Sequence, residues 1–400
     1  MMNRITRLRA AGLVAIALVA LNGASTRGGE ARWVGTWSAA PQRTEPANMP
    51  PAPGLADATL RQVVHVSLGG RRLRVRFSNA FGSKPVTILS AHVAKPAGAA
   101  AIQAPSRKPL AFGGRSSVTI PQGAPIVSDP VDFDLDPLSD LAITVRVKDP
   151  TNAVTGHPGA RCTSYLQAGD AIADPDLPRA VRAPHWYYLC GVDVDAPSAA
   201  AVAVLGDSIT DGRGSPTDGN GRWTDHLARR LHEGKATSLV GVLNQALGGN
   251  RLLHDGLGPN ALARLDRDVL AQPAVRWLIV LEGINDLGTR SAKARDLIGA
   301  YEQIIERAHD RGIKTFGATI LPCGGSFYSS PELEAARQEV NAWIRGSGRF
   351  DAVVDFDAAT RDPRNPSHLS AEADGGDHLH PGPEGYRIMA AAIDLELFGK

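Results

Sequence analysis

Four polar blocks in the second half of the chain hold residue types that can do chemistry together. They are Gly206-Asp207-Ser208-Ile209-Thr210, Asn244-Gln245-Ala246-Leu247-Gly248-Gly249-Asn250, Gly283-Ile284-Asn285-Asp286 and Asp377-His378-Leu379-His380-Pro381. A serine hydroxyl is a weak nucleophile near neutral pH and needs a base within hydrogen-bond reach, about 2.6 to 3.2 Å. A neutral imidazole can take that proton, and a carboxylate three residues earlier can reach its other nitrogen and hold the tautomer. His378 and His380 both qualify by type, but only His380 stands at an Asp-x-x-His spacing from Asp377. Singly, each block has a plain structural explanation: a serine after a strand caps a helix, and an asparagine among glycines makes a turn.

In this order and at these spacings the blocks resemble the SGNH hydrolase superfamily, or GDSL-type esterases and lipases, over about Ala199 to Ile393. The resemblance implies a doubly wound α/β hydrolase domain in which Ser208 is the nucleophile, His380 the base and Asp377 its orienting partner. It further implies an oxyanion hole made by the backbone N–H groups of Ser208 and Gly249 and the side-chain amide of Asn285. Gly248 and Gly249 are adjacent, so the choice of glycine amide stays open by one residue. Thr210 stands where a Gly-x-Ser-x-Gly elbow needs glycine, which separates the chain from ordinary α/β-hydrolases. Asp207 is expected to brace the nucleophile loop rather than react. The chemistry needs no organic cofactor, and no metal is expected, since Asp374, Asp377, His378 and His380 have no second ligand cluster in support. Trp33-Val34-Gly35-Thr36-Trp37 and Ser78-Asn79-Ala80-Phe81-Gly82 resemble the β-rich module that precedes the hydrolase domain in some secreted members.

Periodicity supplies the elements that position these groups. From Trp33 to Asp195 apolar residues alternate, as in Val64, Val66 and Leu68, Leu73, Val75 and Phe77, and Ile143, Val145 and Val147. Period two with many turn residues predicts a β-sandwich-like domain over 32–196. After Ala196-Pro197-Ser198 continuous apolar runs alternate with helical spacing. The runs predict buried parallel strands at Ala201 to Leu205, Trp277 to Leu281, Thr315 to Ile320 and Ala352 to Phe356. Helices are expected over Trp223 to Leu231, Ala294 to Arg311 and Glu332 to Ile344, the second with Ile298, Tyr301, Ile304, Ile305 and Ala308 on one face. A sheet of this kind binds ligands at the carboxyl ends of its strands, where the blocks lie, so 197–400 is expected to be the catalytic domain.

Composition narrows the function classes. The 400 residues are 43% hydrophobic and 21% charged, an ordinary globular balance. Lys plus Arg (43) nearly equals Asp plus Glu (41), and no long basic run stands out, so nucleic acid is not an expected partner. Gly (42) and Pro (28) are enriched, which favours a loop-rich enzyme. Arg4, Arg7 and Arg9 followed by the apolar run Ala10 to Leu21 read as an export signal over 1–31, cleaved after Ala24 or Ala31, and the run is too short for a membrane span. A secreted or periplasmic destination would allow a Cys162–Cys190 disulfide, with two free thiols as the alternative. The expected activity is that of an exported serine esterase acting on small-molecule or carbohydrate esters of short acyl groups. The alternatives are a lipase or lysophospholipase of the same family, or a carbohydrate-binding or adhesion protein with an inactive hydrolase domain.

Overall fold

The computed structural model describes residues 32–148, 150 and 152–399; the expected export signal at 1–31 lies outside the described residues. Five parallel strands form the centre of the second half, in the spatial order Val240–Ala246, Ala200–Gly206, Val275–Leu281, Lys314–Ala318 and Ala352–Val354. All seven residues of Ala200–Gly206 are buried, which a strand covered on both faces requires and which produces its unbroken apolar run. The helices Trp223–Glu233, Ala294–His309, Pro331–Gly346 and Pro383–Ala391 complete the α/β layers. Ser330 caps the third of these, accepting the Leu333 amide at 3.1 Å, with Pro331 in the first turn where its missing N–H costs nothing.

Several boundaries differ from the sequence reading. The third and fourth expected strands each stop two residues early, at Ala318 and Val354. Asp355 then caps a short helix, Phe356–Thr360, through the Ala358 amide, so Phe356 is a core helical residue and not the end of a strand. The buried face of Ala294–His309 is set by Leu297, Ala300, Tyr301 and Ile304, leaving Ile298 at its margin. Val240–Ala246 and Pro383–Ala391 are elements that the apolar pattern does not reveal.

The first half is antiparallel, as its alternation predicts. One sheet runs Trp33–Ser38, Leu189–Asp195, Gly70–Ser78 and Pro125–Val127, and Val131–Leu135 also pairs with Gly70–Ser78. A second has Ala58–His65 and Asp140–Lys148 at its centre, flanked by Ser164–Ala168 and Val86–Ala94. Leu73, Val75 and Phe77 are fully buried between the layers, each contributing roughly 1.5 to 3 kcal/mol by leaving water. The Cys162–Cys190 alternative resolves to free thiols. Cys162 donates to the Val63 carbonyl of the second sheet, whereas Cys190 lies in a strand of the first. Burial pushes the Cys162 thiol up to about 12 and Cys190 up to about 11, so neither is a ready nucleophile.

The two halves share one continuous apolar core. Strand Trp33–Ser38 lies directly on the edge strand Val240–Ala246, and two glycines make that approach feasible. A Cβ at Gly241 would stand 2.6 Å from the Gly35 carbonyl, and one at Gly35 would stand 2.8 Å from Leu243. The edge strand's Val242 N–H, which has no neighbouring strand, donates to Ser67 Oγ at 3.0 Å. His157 completes the seam: Nδ1 lies 2.9 Å from the Ala40 carbonyl and Nε2 2.9 Å from Asp211 Oδ1, both buried. Because both partners are acceptors, each of those contacts needs a proton between its atoms. Among the described residues no helix is long and apolar enough to cross a membrane.

A chain beginning at Ser198 should therefore lose stability, because it exposes the face of Val240–Ala246 and strips Asp211 of its buried partner. Thermal unfolding of the truncated and full chains tests this: the truncated chain is expected to aggregate or melt well below the full one, and an equal Tm would contradict a shared core.

Candidate active site

The parallel register sets the site. Gly206 is level with Ala246 on one side and with Leu281 on the other, so three strand ends meet at one height. Ser208 follows the first, Gly249 the second and Asn285 the third. The strand order reverses here, the place where a crevice opens in such sheets.

Ser208 begins the short helix Ser208–Asp211, which Asp207 caps by accepting the Ile209 amide at 2.9 Å. Its Oγ lies 2.8 Å from His380 Nε2, although the two residues are 172 positions apart. On the other side of the ring, His380 Nδ1 is 2.7 Å from Asp377 Oδ2. Asp377 Oδ1 accepts the amides of His380 at 2.8 Å and Leu379 at 3.1 Å, so the loop's own backbone aims the carboxylate. His378 is held instead by Asp374, with Nδ1 at 2.5 Å, forming a separate pair. Among the described residues no cluster of His, Cys, Asp and Glu is arranged to hold a metal ion.

Burial pushes the His380 imidazole below its ordinary value, against the pull of the Asp377 carboxylate, and the Arg213 and Arg161 guanidiniums push it the same way. Burial alone would raise the Asp377 carboxyl, but the amide and imidazole of His380 outweigh it and hold it below the usual carboxylate range. A neutral imidazole beside an ionised carboxylate is the state a proton acceptor needs.

The other two strand ends, level with Gly206, lead into the segments that carry Gly249 and Asn285. The turn Leu247 to Asn250 is closed by the Asn250 amide on the Leu247 carbonyl at 3.1 Å, with Gly249 at φ +70°, a conformation that favours glycine. Asn285 is oriented on both sides of its amide. Nδ2 faces two acceptors, the Asn250 carbonyl at 2.9 Å and Asp207 Oδ2 at 3.4 Å, while Oδ1 accepts the Tyr328 hydroxyl at 3.1 Å. The next residue, Asp286, accepts the amides of Leu252 at 2.8 Å and Leu253 at 3.3 Å and so pins the chain that leaves the glycine turn.

Beneath these donors lies a buried guanidinium that the sequence reading did not single out. Arg264 donates to Asn250 Oδ1 at 2.9 and 2.6 Å, to the Gln245 and Gly206 carbonyls, and to Glu282 and Asp268 at 3.3 Å. It ties three strand ends together from below. Burial pushes Asp207, Glu282 and Asp286 up, and Arg264 offsets this for Asp207 and Glu282. Arg264 sits on the helix Ala261–Leu265 with no motif around it, and Tyr328 lies in an irregular loop, so spacing offers no signal for either. Gly288 does carry a trace of Tyr328, since a Cβ there would meet the tyrosine ring at 2.4 Å.

Two seam cavities, of about 390 and 540 Å³, are not lined by Ser208, Asn285 or His380. Two exposed apolar side chains lie instead against the glycine turn and against Tyr328. Leu257 is 56% exposed and lies 3.0 Å from where a Gly249 Cβ would be; Phe327 is 74% exposed and packs 4.3 Å from the Tyr328 ring.

Residues 204–388 match the GDSL-like lipase/acylhydrolase family. Among solved structures the chain is similar to the lipase/acylhydrolase from Enterococcus faecalis, at 20% identity over 50% of this chain and 96% of that one, with a TM-score of 0.41. It is also similar to the aryl esterase of M. smegmatis, at 18% identity, 50% and 98% coverage and a TM-score of 0.39. A GDSL-like lipase from Bacteroides thetaiotaomicron matches at 18% identity, 49% and 87% coverage and a TM-score of 0.38. No curated protein matches the sequence.

If the Tyr328 hydroxyl acts by holding the Asn285 amide, Tyr328→Phe should lower kcat about tenfold on an acyl ester with KM little changed. In an Asn285→Ala background the same substitution should add nothing. Equal losses in both backgrounds would contradict a role exerted through Asn285.

Proposed function

We propose that this chain, whose residues 204–388 belong to the GDSL-like lipase/acylhydrolase family, is an exported serine esterase. Its substrates are carboxylic esters of short acyl groups, acetyl foremost, with carbohydrate a fitting alcohol. The observation that carries the reading is the unbroken line from Ser208 Oγ through the His380 ring to Asp377, with contacts of 2.8 and 2.7 Å.

In the proposed reaction Ser208 Oγ attacks the ester carbonyl while His380 takes its proton. Asp377 holds the ring and balances the imidazolium. The oxygen that becomes negative is met by the Ser208 and Gly249 backbone amides and by Asn285 Nδ2, which gives up its long 3.4 Å contact with Asp207 Oδ2 and keeps the Asn250 carbonyl; the attraction of these donors grows as charge develops. Collapse breaks the bond to the alcohol, which leaves with the proton from His380. Water then repeats the sequence on the acyl-serine, releasing the acid and restoring the hydroxyl.

The export part of the proposal rests on Arg4, Arg7 and Arg9 ahead of the apolar run Ala10 to Leu21. Phe327 and Leu257, the two most exposed large apolar side chains described, suit the apolar part of an ester and also favour the lipase alternative. A series of 4-nitrophenyl esters separates the two: turnover should be greatest for acetate and fall with chain length, whereas a maximum at long chains would favour a lipase. Four complete blocks argue against an inactive binding protein, which has no need of them together.

Ser208→Ala should abolish ester cleavage with an unchanged melting curve, and retained turnover would refute the assignment. Asn285→Ala should cost about two orders of magnitude in kcat; an unchanged rate would remove it from the oxyanion hole. Because burial lowers the His380 pKa, the neutral base persists to more acidic pH than a free imidazole's reference of about 6.5. The acid limb of kcat/KM should therefore lie below that value, and a limb above it would contradict the environment described.

A further inference from the structure

Two guanidiniums near the catalytic histidine make no ion pair among the described residues. Arg161 belongs to the β-rich half and Arg213 to the segment just after the nucleophile helix. Both are close enough to His380 for their charges to oppose its protonation. The backbone explains how they reach it. Tyr386 Oη donates to the Arg213 carbonyl at 2.6 Å, and a Cβ at Gly214 would stand 3.0 Å from the carbonyl of Pro381, the residue after His380. On the other side, a Cβ at Gly159 would overlap the Asp211 carboxylate at the end of the Ser208 helix, so the segment carrying Arg161 is laid against that helix.

Neither side chain has an ion pair or a hydrogen-bond partner among the described residues. Arg161 Nε is buried with no acceptor at all, whereas buried donors are ordinarily satisfied. Of the carboxylates nearby, Asp218 is held by the Thr163 amide and hydroxyl at 2.6 and 2.7 Å, and Asp211 meets His157 through Oδ1 while its Oδ2 lies against Gly159 and takes no hydrogen bond from either guanidinium. Arg161 is also held at φ +48°, a left-handed backbone that a non-glycine residue seldom adopts, with its carbonyl accepting the Asp218 amide at 2.9 Å. A buried unpaired donor on a strained backbone is a costly arrangement unless something fills it.

We propose that Arg161 and Arg213 form an anion subsite on the leaving-group side of Ser208, so that the preferred ester is one whose alcohol carries a negatively charged group such as a carboxylate. The side follows from the chemistry: His380 returns its proton to the departing alcohol, so groups beside His380 meet the alcohol and not the acyl chain. Arginine's planar fork suits a carboxylate. The inference rests on the serine-esterase reading and deepens it, since it gives the β-rich half a direct part in choosing the substrate.

Acetate release from 4-acetoxybenzoate and from its neutral methyl ester tests the subsite on the full chain. The ratio of kcat/KM for the acid over the methyl ester should fall about tenfold in Arg161→Gln and in Arg213→Gln, and Arg161→Lys, which keeps the charge and loses the fork, should fall between wild type and Arg161→Gln. Arg213 is exposed, so its variant keeps the test sound should Arg161→Gln fold poorly. Cleavage of both esters with an unchanged ratio in both glutamine variants would overturn the anion subsite alone. If the wild-type chain cleaved neither ester, or Ser208→Ala cleaved both, the serine-esterase reading beneath it would fail instead.

Discussion

The proposed reaction requires a proton to pass between Ser208 Oγ and His380 Nε2, which stand 2.8 Å apart, within hydrogen-bond reach. Everything else in the fold can be viewed as the means of holding that gap. The serine is fixed by a strand buried along its whole length and by a capped helical turn; the histidine is fixed by a loop whose own amides grip Asp377. Neither anchor depends on the other locally, so the contact is as reliable as the packing between the sheet and the C-terminal segment. Tyr386 joins them, reaching from the helix Pro383–Ala391 to the Arg213 carbonyl.

The proposed oxyanion donors pose a harder problem than the proposed base, because they come from two further strand ends and must hold direction as well as position. Arg264 solves the positional part by binding carbonyls of two strand ends and a carboxylate of the third from beneath. Burying that cation with Asp207, Glu282 and Asp268 is expensive, and its hydrogen bonds to three strand ends fix their relative positions. Direction is set by what surrounds Asn285, with acceptors at its nitrogen and a hydroxyl at its oxygen.

Much of this was legible in the sequence and some was not, for physical reasons. Ser208, Asn285 and the Asp377–His380 pair sit at strand ends or in a short local motif, where spacing along the chain translates directly into proximity. The strands Ala200–Gly206 and Val275–Leu281 announce themselves because burial on both faces leaves room only for apolar residues. Val240–Ala246 hides because it is an edge strand: Gly241 is there for close approach to Gly35, and Asn244 turns its amide to the Thr210 carbonyl and Thr224 hydroxyl. Arg264, Tyr328 and His157 act across long sequence separations, and a lone arginine, tyrosine or histidine has no periodicity to betray it. The cysteines show the opposite hazard, since an oxidising compartment would permit a bridge that Cys162, in a bend against the second sheet, and Cys190, in a strand of the first, do not make.

The β-rich half is more than an attachment in this structure. It covers the open edge of the parallel sheet, supplies the His157 contact to the helix that Ser208 begins and lays the segment carrying Arg161 against that helix. All of these roles presuppose that Ser208 is the atom on which the acyl group is carried. The most direct measurement is peptide mass spectrometry after reaction with a phosphonofluoridate ester, which traps an activated serine. One phosphonyl group on Ser208, with loss of activity in proportion, is the result expected here. Inactivation with Ser208 unmodified, or a label carried by another residue, would contradict the account.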